Sequence, residues 1–344
     1  MPGGSQASGE PRLSVVVPCL DEAPYIESLL EAIRLQDRPP FEVIVVDGGS
    51  TDGTQGVVAR YCLEHPNPPV TIVVQPNGRI PVSLNAGIRA ASGDVIARLD
   101  AHSRPRPDYL GRLVGLLLES DPGVTGGRWE IEPGRPSRMG HAIAWAVQHP
   151  LGAGDAAYRL VAGDGRIRPV DTVPFGCFRK AVWAELGGFN ETLQANEDYE
   201  FNYRVRRSGR RVLLDPGAVS IYAARGTLGQ LARQYFRYGW WKLAMLKRYP
   251  RALRWRQAVP MLFVGVLGVL GAASLISPSG LPWLGVTAGG YLLVLGLVSP
   301  DIARRRRAWR TLPVLPLAFI TVHFAWGCGA WVNGLTFGCW PRWR

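Results

Sequence analysis

The chain has 344 residues, of which 47% are hydrophobic and 19% are charged, and its formal net charge is +12. This length allows two domains, and 12 tryptophans with long Val, Ile and Leu runs exclude global disorder. The five cysteines are scattered and form no C-x-x-C pair, which excludes a disulfide scaffold and a cysteine zinc site and predicts reduced thiols facing the cytosol.

The N-terminal two thirds of the chain have the pattern of an α/β domain. Residues 1–11 are polar and rich in Gly, Ser and Pro, which predicts a disordered N-terminus that stays in the cytosol. Residues 12–224 then alternate between strand and helix patterns. Apolar runs predict strands at 13–17, 42–46, 70–74 and 94–99, the first of them buried on both faces, with helical patterns between them at 25–35, 53–64 and 82–91. This order predicts a Rossmann-like, mainly parallel sheet with helices on both faces.

The C-terminal third has the composition of a membrane-attached segment. Residues 225–257 carry nine bases and no acid, interleaved with aromatic residues, which predicts amphipathic basic helices at a membrane interface. Residues 258–344 contain three uncharged apolar stretches, at 258–277, 281–299 and 312–337, each close to the ~20 residues that span a bilayer. The third is rich in tryptophan, so the alternative of a helix lying at the interface stays open.

The distribution of basic residues predicts the orientation of these stretches. The bases of residues 225–256 and the cluster Arg304–Arg307 favour the cytosolic side, together with the N-terminal domain. The expectation is therefore a multi-pass protein of the cytoplasmic (inner) membrane that contacts membrane lipids and whose N-terminal domain faces the cytosol.

Acidic residues follow three of the predicted strands, at the edge of the sheet where ligands bind in such folds. They are Asp21 and Glu22 after the first strand, Asp47 and Asp52 after the second, and Asp100 after the fourth. Individually, Asp21 or Asp52 could cap a helix and Asp47 could be an ordinary turn residue. Together they predict a site that accepts hydrogen bonds from a base or ribose, or that holds a cation which in turn holds phosphate. The chain has neither a dinucleotide-binding G-x-G-x-x-G nor a phosphate-binding loop after its first strand, which excludes a dehydrogenase.

Five ordered motifs resemble the family 2 glycosyltransferases, which have the GT-A fold. They are Val15–Glu22, Val45–Thr54, Asn85–Ile88 with Gly93–His102, Gly176–Glu191, and Asn196–Asp198. The resemblance covers roughly residues 12–242 and is strongest to membrane-attached glucosyltransferases of the succinoglycan type. It implies a GT-A catalytic domain at residues 12–224 that uses a nucleotide-sugar donor, with a UDP-hexose as the expected one.

The resemblance also implies which residues bind the donor and a metal. Those expected to contact the donor are Pro18, Asp21, Glu22, Asp47, Asp52, Arg79, Asn85 and Asp100. Asp21 or Glu22, with Asp47, would hold the uracil and the ribose. The family's D-x-D metal motif is Asp100-Ala101-His102 here, so Asp100 and His102 would bind a divalent metal, Mn²⁺ or Mg²⁺. Histidine shifts the preference towards Mn²⁺; the alternative for His102 is a hydrogen bond to sugar or phosphate.

Glu197-Asp198 resembles the family's catalytic acid pair, with Asp198 as the general base of an inverting displacement. The alternative is that Asp198 only caps a helix. Gln234–Tyr238 is similar to the Q-x-x-R-W motif of polysaccharide synthases, with Tyr in place of Trp. Arg237 and Arg233 are therefore expected to bind the departing diphosphate, unless both face anionic lipid. Trp129 is expected either to border the acceptor pocket or to pack in the core.

These features predict a membrane-anchored, metal-dependent, inverting glycosyltransferase. Its acceptor would be lipid-linked, on a polyprenyl carrier, in exopolysaccharide or cell-envelope glycan assembly. A processive polysaccharide synthase, a dolichyl- or polyprenyl-phosphate sugar synthase, and a catalytically silent binding protein are the alternatives. Spanning helices argue against nucleic acid as the partner of the basic residues.

Overall fold

The computed structural model describes residues 10–76, 78–160 and 165–336. The predicted disordered segment 1–11 lies outside these residues except for its last two. The strands are β1 (Leu13–Cys19), β2 (Glu42–Asp47), β3 (Val70–Val74), β4 (Val95–Arg98), β5 (Arg104–Pro105), β6 (Val124–Glu132), β7 (Arg168–Pro169), β8 (Cys177–Arg179) and β9 (Val212–Ala223). The helices of the first 210 residues are α1 (Ile26–Arg34), α2 (Thr54–Glu64), α3 (Ile80–Ala90), α4 (Tyr109–Ser120), α5 (Arg138–Gln148), α6 (Pro150–Ala153), α7 (Ala157–Leu160), α8 (Lys180–Glu185) and α9 (Glu197–Arg207). Those that follow are α10 (Leu228–Arg248), α11 (Trp255–Ile276), α12 (Leu281–Arg305) and α13 (Leu315–Leu335).

The strands form one mixed sheet in the order β3-β2-β1-β4-β8-β6-β9-β5, with β7 paired to β9. The four strands predicted from apolar runs pair in parallel, whereas β8 runs antiparallel to β4 and β6. All seven residues of β1 are buried, as expected of a central strand covered on both faces. In the β1–β2 register Cys19 lies opposite Asp47, so the acidic residues after these two strands emerge side by side.

Residue contacts divide the chain into two compact units. The first comprises residues 1–128, 163–191 and 197–220, and the second comprises residues 129–162, 192–196 and 221–344. This differs from the predicted boundary at residue 224, because residues 129–162 belong to the second unit. The reason is packing: Ile143 of α5 and Phe319 of α13 are fully buried in one apolar cluster.

The second unit contains the predicted amphipathic helix as one continuous element, α10, with Arg233 and Arg237 exposed. This helix packs closely against α13 through glycines. A Cβ built on Gly239 would lie 2.0 Å from the carbonyl oxygen of Trp326, and one on Gly329 would lie 2.1 Å from that of Phe236. Only glycine fits at these two positions, because any side chain would collide with the neighbouring backbone.

Among the residues that the structure describes, three helical segments are long and apolar enough to cross a membrane: Trp255–Ile276, Pro278–Arg305 and Trp309–Leu335. The first begins three residues before the predicted position, and the second continues through Asp301 into the arginine cluster. The third includes α13, which is apolar on all sides and whose Leu315 and Phe319 are fully buried. A helix that is apolar all round suits a membrane span or a core better than an interfacial position.

Candidate active site

The centre of the site is a guanidinium group that binds three carboxylates. Arg98 is the last residue of β4, and its side chain is 3% exposed. Its Nη1 donates to Oε1 of Glu197 at 3.0 Å and to Oδ1 of Asp198, and its Nη2 donates to Oδ1 of Asp100 at 2.9 Å. The structure thus brings together Asp100, Glu197 and Asp198, which the sequence predicted separately.

Three carboxylates around one arginine leave an excess of negative charge in a poorly solvated place. Burial raises the pKa of Asp198 to about 7; Arg98 opposes this, while the carboxylates of Glu197 and Asp100 add to it. Asp198 lies in the first turn of α9, but its carboxylate is bound by Arg98. A carboxylate with this pKa suits a general base at neutral pH better than a helix cap.

Helix α9 is held in place by Arg204, one turn beyond Glu200. Arg204 pairs with the buried Glu200 at 2.8 Å and donates to the carbonyl oxygens of Leu186 at 2.5 Å and Gly188 at 2.6 Å. The turn at Gly187-Gly188 is therefore fixed to the helix that carries Asp198. This is a structural role for the Gly-Gly-Phe segment of the family motif.

Asn85 supports the same segment through four hydrogen bonds. Its Nδ2 donates to the carbonyl of Phe189 at 2.9 Å and to Glu191 at 2.8 Å. Its Oδ1 accepts from Trp183 Nε1 at 3.1 Å and from the Phe189 amide at 2.8 Å. These four bonds use the full capacity of an asparagine amide. The structure thus gives Asn85 a role in positioning the loop, and its donor contact stays a prediction.

The acidic residues after β1 and β2 mainly shape their own loops. Asp47 is 1% exposed and accepts from Gln55 Nε2 at 2.6 Å and from Ser50. Burial tends to raise the pKa of Asp47, but these hydrogen bonds outweigh it and lower the pKa. Asp21 accepts from the Thr51 amide at 2.8 Å, and Asp52 accepts from the Ala23 amide at 3.0 Å. The two loops are therefore bound to each other through their aspartates.

Glu22 connects these loops to the residues after β4. Its Oε1 lies 3.0 Å from Nδ1 of His102. The side chains of Glu22 and His102 are 19% and 34% exposed, so both border solvent. Through this contact the acidic residues after β1, β2 and β4 form one continuous rim in the first unit, as the sequence predicted.

Asp100 and His102 are compatible with a divalent metal, although they do not complete a site alone. The described residues contain no group of three metal-ligand side chains. Arg98 binds Oδ1 of Asp100, whereas no described residue hydrogen bonds its Oδ2, and the side chain is 24% exposed. The chain thus offers a carboxylate oxygen and an imidazole, and a metal here would take further ligands from phosphate and water.

The remaining predicted residues lie in three places. Pro18 is buried in β1 opposite Val46, next to the rim. Arg79 is exposed at the start of α3. Arg233 and Arg237 are exposed one turn apart on α10, in the second unit. Donor binding by these four residues stays a prediction.

Sequence reasoning missed Arg98. The available signal was an arginine in the otherwise apolar run Val-Ile-Ala-Arg-Leu, two residues before Asp100. A charge in a buried strand needs a partner of opposite sign. Asp100 is two residues away, but the other two partners, Glu197 and Asp198, lie about a hundred residues further along the chain.

Comparisons with known proteins indicate the same family as the sequence motifs. A model of glycosyl transferase family 2 matches residues 14–182. The succinoglycan biosynthesis protein ExoA of Rhizobium meliloti is 28% identical over 334 residues, which cover 94% of this chain and 95% of the relative. The dolichyl N-acetyl-alpha-D-glucosaminyl phosphate 3-beta-D-2,3-diacetamido-2,3-dideoxy-beta-D-glucuronosyltransferase of Methanococcus voltae is 24% identical over 242 residues, covering 69% of this chain and 74% of the relative.

A solved structure has the same fold. The mannosyltransferase PcManGT of Pyrobaculum calidifontis, in complex with GDP-Man and Mn²⁺, matches with a TM-score of 0.59 at 22% identity, covering 95% of this chain and 88% of that chain. The mixed sheet and its acidic rim define an enzyme of the GT-A glycosyltransferase class. The chain belongs to glycosyltransferase family 2, which confirms the family predicted from its motifs.

Proposed function

We propose that this glycosyltransferase moves one sugar from a nucleotide sugar, expected to be a UDP-hexose, to a lipid-linked polyprenyl acceptor, inverting the anomeric carbon. The observation that carries the proposal is the cluster of Asp100, Glu197 and Asp198 on the buried Arg98. It joins a general base of suitable pKa to the acidic rim that follows the strands. Exopolysaccharide or cell-envelope glycan assembly is the corresponding process.

Asp198 would act on the acceptor hydroxyl. As that oxygen attacks the anomeric carbon from behind, its bond to carbon forms and the bond between carbon and the diphosphate oxygen breaks. The diphosphate leaves with the electron pair, and the carboxylate of Asp198 takes the hydroxyl proton. Arg98 fixes the orientation of Asp198, and Glu197 keeps Arg98 in place.

The rim would hold the donor. A divalent cation, Mn²⁺ or Mg²⁺, bound at Asp100 and His102 would neutralise the negative charge of the leaving diphosphate. Glu22 would keep the imidazole of His102 oriented through its 3.0 Å contact. Asp21, Asp47 and Asp52 would act by holding the shape of the two loops that face the nucleotide, and Arg233 and Arg237 would bind the diphosphate.

Two observations support a lipid-linked acceptor. The chain has three helical segments able to span a membrane, and basic residues precede the first and follow the second. Its archaeal relative acts, by name, on a dolichyl-linked sugar phosphate. On these grounds we propose a multi-pass protein of the cytoplasmic membrane whose catalytic domain lies in the cytosol.

The test is a donor screen with the full chain in membranes. Polyprenyl-diphosphate sugars and polyprenyl phosphate are supplied separately as acceptors, and products are read by mass spectrometry. We expect one added sugar on the lipid-linked saccharide. A ladder of product lengths would instead indicate a processive synthase, and a polyprenyl-phosphate sugar would indicate a polyprenyl-phosphate sugar synthase. No transfer to any lipid acceptor would contradict the proposal.

A further inference from the structure

We propose that Arg159 and the aromatic side chains around it form a binding site for the phosphate group of the lipid-linked acceptor. This inference rests on the proposed function, since it names a subsite for that acceptor. The site lies within the second unit, which also contains the three candidate membrane segments. None of its residues is among those that form the acidic rim.

The first observation is the surroundings of the guanidinium group. Nη1 of Arg159 donates to the hydroxyl of Tyr235 at 2.9 Å. The group also lies over the rings of Trp129, at 5.2 Å, and Tyr158, at 5.4 Å. Its Nε is buried and has no hydrogen-bond partner among the described residues. Arg159 therefore has donor capacity that the described part of the chain does not use.

The second observation is that the aromatic side chains are fixed by one another. Trp129 and Tyr222 stack with centroids 4.2 Å apart and an interplanar angle of 5°. Nε2 of Gln234 donates to the hydroxyls of Tyr222 at 3.0 Å and Tyr238 at 3.1 Å. Rings and hydroxyls held in this way form a preorganised surface, which lowers the entropic cost of binding a ligand.

The third observation is charge. Arg159 forms no ion pair with any residue in the described part of the chain, whereas Asp155 pairs with Arg256 and Asp301 pairs with Arg304 and Arg305. A poorly solvated guanidinium without a counter-ion is costly. Stacking on aromatic faces offsets part of that cost, and a phosphate would offset more, because it accepts two parallel hydrogen bonds from arginine.

The position of the cluster favours the acceptor over other sources of phosphate. Tyr235 and Tyr238 lie on α10, the helix whose Gly239 packs against α13. The Nδ2 of Asn196 donates to the carbonyl of Tyr238 at 3.2 Å, and Asn196 is the residue immediately before the Glu197-Asp198 pair. The hydrocarbon chain of a polyprenyl carrier stays in the bilayer. The phosphate of that carrier is therefore presented at the membrane surface, where a helix such as α10, packed against a candidate membrane helix, could bind it.

The test uses the purified full chain in nanodiscs and needs no catalysis. Binding of polyprenyl diphosphate is measured by tryptophan fluorescence without donor, for the wild type, Arg159→Gln, Arg159→Lys and the matched control Arg138→Gln on the exposed start of α5. We expect Arg159→Gln to weaken binding at least tenfold, Arg159→Lys to weaken it by a smaller factor, and Arg138→Gln to bind as the wild type. Tyr235→Phe, which removes the hydroxyl that orients Arg159, should weaken binding about threefold even if Arg159→Gln does not fold.

Unchanged affinity in Arg159→Lys and Tyr235→Phe would overturn the inference. So would equal competition by nanodisc phosphatidylglycerol or by free pyrophosphate, because the site would then bind any phosphate. Steady-state kinetics separate this inference from the proposed function. A raised KM for the acceptor with an unchanged KM for the donor in Arg159→Lys supports both. Polyprenyl diphosphate binding that depends on Arg159, in an enzyme that transfers no sugar to lipid, would retain the phosphate site and refute the function.

Discussion

Asp100 and Asp198 are bound by the same guanidinium, that of Arg98, although Asp198 lies about a hundred residues after Asp100 in the chain. One aspartate follows β4 and the other begins α9, so Arg98 fixes the distance between the predicted metal ligand and the predicted base. In the proposed mechanism this contact would link donor binding to proton removal through a residue that itself needs to touch neither substrate.

Loss of Arg98 should destabilise the enzyme strongly. Arg98→Gln leaves three carboxylates around the buried position of Arg98 without a counter-charge. Breaking a buried ion pair in this way lowers the free energy of unfolding by about 3–5 kcal/mol. Arg60→Gln removes an exposed ion pair with Glu27 and should lower the free energy of unfolding by less than about 1 kcal/mol. Chemical denaturation at pH 7.0 measures both. Equal stability of the two variants would show that the cluster on Arg98 does not form.

The raised pKa of Asp198 predicts how both activity and stability depend on pH. The base must be deprotonated, so kcat/KM should rise with pH and level off above an ionisation near 7. The folded state also binds this proton more tightly than the unfolded chain does, so stability from this group is lost as pH rises through the folded pKa. Asp198→Asn should therefore be more stable than the wild type at pH 8 and equal to it at pH 4. A wild-type profile that stays flat between pH 5 and 8 would contradict this assignment.

The metal ligands can be tested by changing the metal. Removal of divalent ions with a chelator should abolish transfer, and either Mn²⁺ or Mg²⁺ should restore it. In His102→Asp the second ligand becomes a carboxylate, which suits the harder ion, so the ratio of activity with Mg²⁺ to activity with Mn²⁺ should increase. Titration of each ion into the chelated enzyme measures this ratio. If the ratio is the same in His102→Asp and the wild type, His102 does not ligate the metal.

The turn that supports α9 offers a pair of matched glycines. Gly187 and Gly188 both have φ of +76°, but only at Gly188 would a Cβ meet a neighbour, Oδ1 of Asn85 at 2.9 Å. Gly187→Ala should lower the free energy of unfolding by about 1–2 kcal/mol, because alanine disfavours the left-handed backbone conformation. Gly188→Ala should cost more and should also lower activity, because it displaces the asparagine that holds the loop. Thermal unfolding and transfer assays on both variants provide the comparison, and equal effects would rule out the role given to Asn85.

The sequence predicted the elements of this fold better than the contacts within its site. Apolar runs located β1 to β4, and acids after parallel strands predicted the rim, because strand direction alone brings those ends together. Two partners of Arg98, Glu197 and Asp198, could not be predicted, since they depend on how α9 packs after a long connection. Donor binding by Asn85 and Asp52 stays a prediction; in the structure their side chains bind backbone amides of this chain. Residue type indicates hydrogen-bonding capacity, but only the tertiary structure shows what uses it.

The most direct test of the account is single-turnover sugar transfer by Asp198→Asn, compared with Asp121→Asn. Asp121 is an aspartate of the first unit with a 77% exposed side chain, paired to Arg179. Loss of a general base typically lowers the rate by ~10²–10⁴-fold, and we predict a loss of this size for Asp198→Asn with donor binding retained. We predict a wild-type rate for Asp121→Asn. A folded Asp198→Asn enzyme that transfers sugar as fast as the wild type would contradict the central claim.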